Sequence, residues 1–357
     1  MRTSDFDYKL PRELIAQYPA ERRDKSRLLV LNREEVSLDH RHFRDVVDYV
    51  EPGDVLVVND SRVIPARLLG RRSTGGKAEM FLLARSGPGV TGVPPEATGV
   101  AADATSVPAD ATGVPTDGTD MLKGMSGSRG ELWEVLVRPG ARIREGAVLT
   151  FGDGLLSATI REVLPEGRRI VELNSESGVA EAVEKLGQIP LPPPTAGLHF
   201  TDSLLGAVQD AGATVARLTL HVGIGTFRPV TAEDPEEHRM ESERYVVSAD
   251  AAREINRARE AGGRVFAVGT TAVRTLESVT DDQGHVSPAT GSTELFIRPP
   301  YRFKCVDALI TNFHLPRSTL LMLVSAFGGR ERVLAAYQDA VLKRYRFYSY
   351  GDAMLIL

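Results

Sequence analysis

Apolar and polar positions change rhythm along the chain. Between Val55 and Leu173 the apolar residues come in short runs: Val55 to Val58, Ala78 to Leu83, Leu132 to Val137, Leu155 to Val163 and Arg169 to Leu173. Arg-Pro-Gly at 138–140, Gly-Asp-Gly at 152–154 and Pro-Glu-Gly at 165–167 separate the later runs. Closely spaced strands joined by such turns predict a small β-barrel. After Gly187, helical and strand periods alternate. Thr201 can cap a helix through Ala211 that stops at Gly212, Ser248 one that ends at Gly262-Gly263, and Ser318 one that ends at Gly328-Gly329. Apolar strands lie between them: Thr214 to Val222, Arg264 to Val268 and Ala308 to Thr311. This alternation predicts a layered α/β domain with a largely parallel sheet. The N-terminal stretch, where Pro11 opens a short helix and DVLVVND reads as a strand, joins the same layer. The expected organisation is therefore an α/β main domain from 1–62 and 187–357, with a β-barrel domain, 63–186, set between its two parts.

Residues 86–128 break the pattern. Gly, Pro, Thr, Ala and Asp dominate there, aromatics are absent, and four seven-residue units, TGVPPEA, TGVAADA, TSVPADA and TGVPTDG, run from Thr91 to Gly118. A seven-residue period can mean a coiled coil, but each unit has a single Val as an apolar knob and Pro recurs where a helix needs a donor. The expectation is a solvated, disordered insertion in a long hairpin loop between Leu83 and Leu132.

Composition narrows the class. With 357 residues, 42% hydrophobic and 25% charged, the chain is that of a folded protein long enough for two domains. No apolar stretch approaches the roughly 20 residues of a membrane-spanning helix, and the start, MRTSDFDYKLPREL, has acidic residues where a signal peptide has its apolar core, so a cytoplasmic protein is expected. Cys305 is the lone cysteine, which rules out an intramolecular disulfide and a thiolate metal cluster; a buried inert thiol is the simpler reading. A formal charge of −5 argues against coating nucleic acid by bulk positive charge, while leaving room for a local basic patch.

Several segments can carry chemistry. In Leu218 to Val230, LTLHVGIGTFRPV, an apolar strand delivers His221 into a turn where Gly223 and Gly225 let backbone approach a ligand and Thr226 adds a hydroxyl. Taken alone, His221 reads more simply as a satisfied histidine at a strand end. The strand, Gly269-Thr270-Thr271 turn and helix from Arg264 to Glu277 offer free N–H groups and hydroxyls to a carboxylate, phosphate or ribose, or Thr merely caps. Thr195 to Thr201 puts His199 just before a helix, and Thr311 to Pro316 puts Asn312 and His314 just after a strand. Because ligands of open α/β sheets collect at the carboxyl ends of strands, these loops can converge. The histidines lack metal-ligand spacing, so no metal is expected. Asp60 follows the DVLVVN strand as a second candidate base, and Arg62, Arg67, Arg71, Arg72 and Lys77 can meet phosphates or be solvated. Arg298, Arg302 and Lys304, interleaved with Phe296, Tyr301 and Phe303, form another basic-aromatic stretch that suits nucleic acid or a strand edge.

In one order along nearly the whole chain, FDYKLPRELIAQYPAERRDKSRLLVL, DVLVVNDSRVIPARLLGRR, GGKAEMFLL, WEVLVRPGARI, PTAGLHFT, LTLHVGIGTFRPV, HRMESERYVV, VGTTAVRTLES, ELFIRPPYRFK, LITNFHLPRSTLLMLVSAFGG and YRFYSYGDAMLIL resemble the S-adenosylmethionine:tRNA ribosyltransferase-isomerase family of the queuosine pathway. The resemblance implies an α/β domain plus a β-barrel. It also implies transfer of the ribosyl group of S-adenosylmethionine to 7-aminomethyl-7-deazaguanine at the tRNA wobble position, with adenine and methionine leaving and epoxyqueuosine as product. No metal or cofactor beyond S-adenosylmethionine as co-substrate is implied. The partners are tRNA bearing that base and S-adenosylmethionine, with no membrane, and a monomer is expected.

That chemistry needs a base for the ribose carbon beside the sulfonium and an acid for departing adenine. Chemistry and motif position assign proton transfer to His221 or His199, with Asp60 as a competing base. Substrate positioning falls to Gly223, Gly225, Thr226, Gly269, Thr270, Thr271, Asn312 and His314, and Arg274 is the candidate for the methionine carboxylate. The chain departs from the family in the Thr91 to Gly118 repeats and in the junction where Gly187 to Pro194 runs straight into Thr195, without the family's polar, tyrosine-containing stretch. Two competing readings follow: an S-adenosylmethionine-dependent tRNA methyltransferase, against which the lack of a Gly-rich loop after Val55 to Val58 counts, and a tRNA-binding homologue with impaired catalysis.

Overall fold

The computed structural model describes residues 1–20, 22–35, 37–61, 65–86, 130–140, 143–188, 196–223 and 230–357. The repeats at 91–118, the junction at 189–195 and the candidates Arg62, Gly225 and Thr226 lie outside the described residues. The chain divides into two compact units, Met1–Ser61 with Pro192–Leu357, and Arg62–Leu191.

In chain order, β1 (Arg27–Asn32), β2 (Ser37–His42) and β3 (Val55–Asn59) precede β4 (Arg67–Arg72), β5 (Lys77–Ser86), β6 (Glu131–Arg138), β7 (Val148–Phe151), β8 (Leu156–Val163), β9 (Arg168–Asn174) and α1 (Val179–Leu186). Then come α2 (Asp202–Asp210), β10 (Thr214–Leu220), β11 (Glu243–Val247), α3 (Ala249–Glu260), β12 (Val265–Val268), α4 (Thr270–Val279), β13 (Ala289–Thr293), β14 (Ala308–Asn312), α5 (Thr319–Gly328), α6 (Arg330–Leu342) and β15 (Ala353–Ile356).

The first unit holds a nine-stranded sheet in the order β13-β11-β10-β3-β12-β14-β15-β1-β2. Its centre, β10, β3, β12 and β14, is parallel throughout, and antiparallel pairs flank it. Strands buried on both faces need apolar residues at every position, which is why β3 and β12 read as unbroken runs, VLVV and VFAV. Successive side chains enter opposite layers. Val55, Val57, Val265 and Ala267 pack with α3, α4, α5 and α6, whereas Leu56, Val58, Phe266 and Val268 pack with Leu204 and Val208 of α2 and with Phe43 and Val46. The three expected caps form: the side chains of Thr201, Ser248 and Ser318 accept from the N–H groups of Leu204, Ala251 and Leu321 at 3.1–3.2 Å. Arg12–Leu14 is a single 3₁₀ turn after Pro11.

The second unit is a closed barrel in the order β4-β5-β6-β9-β8-β7. Alternation in β6 sends Trp133, Val135 and Val137 inward. β5 and β6, on either side of residues 87–129, pair antiparallel with Ser86 opposite Leu132. The apolar runs left out β4 and β7. β4 is RLLGRR, with one buried side chain, and its hydrogen bonds to β5 and β7 close the barrel. Among the described residues no helix is long and apolar enough to cross a membrane.

Candidate functional site

Among the described residues, the candidates Asp60, His221, Gly223, Gly269, Thr270, Thr271, Asn312 and His314 lie at or just beyond the ends of β10, β3, β12 and β14. These strands are neighbours, about 4.8 Å apart, so residues following them share one edge. Asn59 stitches the first two ends together. Its amide oxygen accepts Leu220 N–H at 3.0 Å and its amide nitrogen donates to Leu220 O at 3.1 Å, continuing the β3–β10 ladder through a side chain. The next residues, Asp60 and His221, are thereby brought within electrostatic range of each other. Thr219 donates to Asp60 Oδ1 at 2.7 Å. Burial pushes the Asp60 carboxyl above the usual carboxylate range, against the opposing pull of that hydrogen bond and of the Arg217 and His221 charges.

At the end of β12, Gly269 adopts φ +88, a backbone open to glycine at little cost, and turns directly into α4. No side chain caps α4. Thr270 and Thr271 are buried at its first turn, and the Thr271 hydroxyl has no hydrogen-bond partner among the described residues. Arg274, one turn on, is turned inward. It is 2% exposed and forms an ion pair with Glu243 of β11, and its Nε donates to Leu295 O at 3.0 Å. The second oxygen of Glu243 accepts Gly223 N–H at 2.9 Å. Arg274 thus acts on the turn after His221 through Glu243, a residue that sequence reasoning missed because nothing local distinguishes it from other acids in HRMESERYVV.

At the end of β14 the histidines are inside the fold. His199 is fully buried and stacks on Phe43, ring centroids 4.7 Å apart. Its Nδ1 lies 2.7 Å from Ser26 Oγ, and its Nε2 lies 3.1 Å from Asn312 Nδ2 and 3.3 Å from an Arg23 nitrogen. Two donors at Nε2 make it the acceptor, so the proton sits on Nδ1. Burial, reinforced by the Arg23 charge, pushes the ring down to about 3. His314 is likewise buried and pushed down to about 3, with Nε2 2.8 Å from Thr311 Oγ1. Both imidazoles are neutral at physiological pH.

The family model for queuosine biosynthesis protein matches residues 3–193 and 194–356. The chain belongs to the queuosine biosynthesis protein family. It is 46% identical to the S-adenosylmethionine:tRNA ribosyltransferase-isomerase of Symbiobacterium thermophilum and 48% identical to that of Moorella thermoacetica, each over all of both chains. Among solved structures, the S-adenosylmethionine tRNA ribosyltransferase of Thermotoga maritima matches 99% of this chain and 100% of its own, with 40% identity and a TM-score of 0.55.

The basic candidates of this queuosine-family chain fall into two groups. Arg67 is paired with Glu79, Arg298 lies 2.9 Å from Glu236 and Lys304 lies 3.3 Å from Asp282, so these have local acidic partners. Arg71 and Lys77 face each other across β4 and β5, both exposed, and Arg302 is exposed. Arg72 is half-buried in the barrel wall. Cys305 is buried and its thiol is pushed up to about 11, which keeps it protonated. A second missed residue is Glu277. Its carboxylate accepts Lys304 N–H at 2.8 Å and Cys305 N–H at 3.1 Å, holding the basic-aromatic stretch against α4.

Proposed function

We propose that the chain transfers and isomerises the ribosyl group of S-adenosylmethionine onto the aminomethyl group of 7-aminomethyl-7-deazaguanine at the tRNA wobble position. The products are epoxyqueuosine in tRNA, adenine and methionine. The observation that carries this reading is the 44–48% identity, over the full length of both chains, to relatives bearing the ribosyltransferase-isomerase name. The proposal places the reaction in the cytoplasm, with a monomer using no metal.

The sulfonium acidifies the ribose carbon beside it, and a base removes that proton. Asp60 is the best-supported base, since a carboxylate whose proton affinity is raised by burial is a stronger one, and the Thr219 hydrogen bond fixes its orientation. His221, alongside it, is the acid for adenine departure. The neutral, doubly engaged ring of His199 suits positioning of Asn312 better than proton transfer. The open N–H groups of α4, with Thr270 and Thr271, suit the substrate's polar groups. A ribose hydroxyl then displaces methionine to close the epoxide, a step governed by bound geometry.

Incubating the protein with S-adenosylmethionine and tRNA carrying the aminomethyl base tests the proposal. Free adenine and methionine are expected. S-adenosylhomocysteine would instead indicate methylation, and neither product with retained tRNA binding would indicate an impaired homologue.

A further inference from the structure

Two short segments that the proposed chemistry leaves unused, RRDKS before β1 and YRFYSYGD before β15, meet beside His199. Arg23 reaches across from the first. Its Nη2 donates to Ser349 O at 3.0 Å and lies 3.3 Å from His199 Nε2, while its Nε and Nη1 are buried without a hydrogen-bond partner among the described residues. The Ser349 hydroxyl is equally orphaned, on a residue 1% exposed. Arg346 is close enough to act electrostatically on both Arg23 and His199. Neither Arg23 nor Arg346 has a carboxylate within ion-pair distance among the described residues.

Asp352, which acts electrostatically on Arg23, is already engaged. Asp352 accepts Arg27 N–H at 2.9 Å and Arg346 N–H at 2.8 Å, and pairs with the Arg27 guanidinium at 3.0 Å. Gly351 is required by the same turn, because a Cβ there would run into the Arg346 carbonyl. Among the described residues neither guanidinium has an ion-pair partner, although Asp352 acts electrostatically on Arg23 and Arg346 Nη2 donates to the Tyr18 carbonyl; the Ser349 hydroxyl on the same turn is left unpaired. Burial and the repulsion of Arg346 push Arg23 down to about 10, still a cation at neutral pH but one in surroundings that disfavour its charge. Buried donors left unpaired are costly, and a guanidinium fork matches the geometry of carboxylates and phosphates.

We infer that Arg23, Arg346 and Ser349 form an oxyanion-binding subsite at the end of β14, with His199 and Asn312 as its fixed wall. Both arginines are only half-buried, so an oxyanion reaches them from the surface with a side-chain rotation. His199 holds Arg23 Nη2 from behind, which gives a neutral, buried histidine a purpose in binding. The inference rests on the proposed function only for the source of the oxyanion, which is either the methionine carboxylate of S-adenosylmethionine or a phosphodiester of tRNA.

Inorganic phosphate is the first probe, used with the full chain at constant ionic strength. The melting temperature of the wild type should rise saturably with phosphate. That rise should vanish in Ser349→Ala and Arg346→Gln, and in Arg23→Gln if it folds, while Arg253→Gln on the exposed face of α3 keeps it. Steady-state kinetics then separate the sources. If the carboxylate binds here, Ser349→Ala raises the KM for S-adenosylmethionine about tenfold, as expected for one hydrogen bond to a charged group, and the penalty disappears with decarboxylated S-adenosylmethionine. If a phosphodiester binds here, the KM for tRNA rises instead, and Arg346→Gln lowers the logarithmic salt slope of tRNA binding by about one. Wild-type KM values and a wild-type phosphate response in both Ser349→Ala and Arg346→Gln would overturn the inference. A wild type that releases no adenine would sink the proposed function, and the phosphate response alone would then decide the subsite.

Discussion

Glu243 joins Arg274 to the turn after His221: one carboxylate oxygen is paired with the buried guanidinium and the other accepts Gly223 N–H at 2.9 Å. The pair ties α4, whose first turn carries Thr270 and Thr271, to the loop that follows β10.

Removing one partner of a fully buried pair leaves an uncompensated charge. Arg274→Met should therefore lower the free energy of unfolding by about 3–5 kcal/mol, measured by urea titration. A direct carboxylate ligand would behave differently, with a raised KM for S-adenosylmethionine and near wild-type stability.

Asp60 gives a pH signature. A base works deprotonated, so its raised pKa moves the acid limb of kcat/KM upward, and activity is lost as pH falls through that value. The Thr219 hydrogen bond opposes the rise, so Thr219→Val should move the limb further up. Asp60→Asn should slow single-turnover adenine release by about 10²–10⁴-fold with tRNA binding intact. A Thr219→Val profile superimposable on the wild type would count against Asp60 as the base.

His199 and His314 should make the fold acid-sensitive. Each ring sits near 3 in the folded state and about 6.5 when unfolded, so below pH 6.5 the unfolded chain binds more protons and stability falls with pH. Between pH 6.5 and 5 each should remove about 2 kcal/mol. Urea unfolding at pH 7.5 and 5.0 checks this, and His314→Gln should flatten the dependence by one histidine's share.

Arg71 and Lys77 are exposed like charges facing each other across β4 and β5. If they meet phosphates, Arg71→Gln and Lys77→Gln should each reduce the logarithmic salt slope of tRNA binding by about one. Arg298→Gln, which breaks a surface pair with Glu236, should change it little.

Hydrophobic period and capping residues are local, and they determined much of this protein. VLVV and VFAV read as apolar strands and form them, Thr201, Ser248 and Ser318 start their helices, and the short runs between Ala78 and Leu173 built a barrel. The convergence of the loops carrying His221, Thr271 and Asn312 on one edge was also legible, because the carboxyl ends of parallel strands lie side by side, whereas Asp60 joined them only in the tertiary structure. Burial and pairing were not. Whether Arg274 faces solvent or Glu243, whether His199 has a free nitrogen, and where the Arg23 guanidinium finds an acceptor depend on groups 31, 113 and 326 residues away in sequence. Such contacts arise only when the sheet brings distant segments together, and the desolvation that sets the protonation of Asp60 and His199 arises with them.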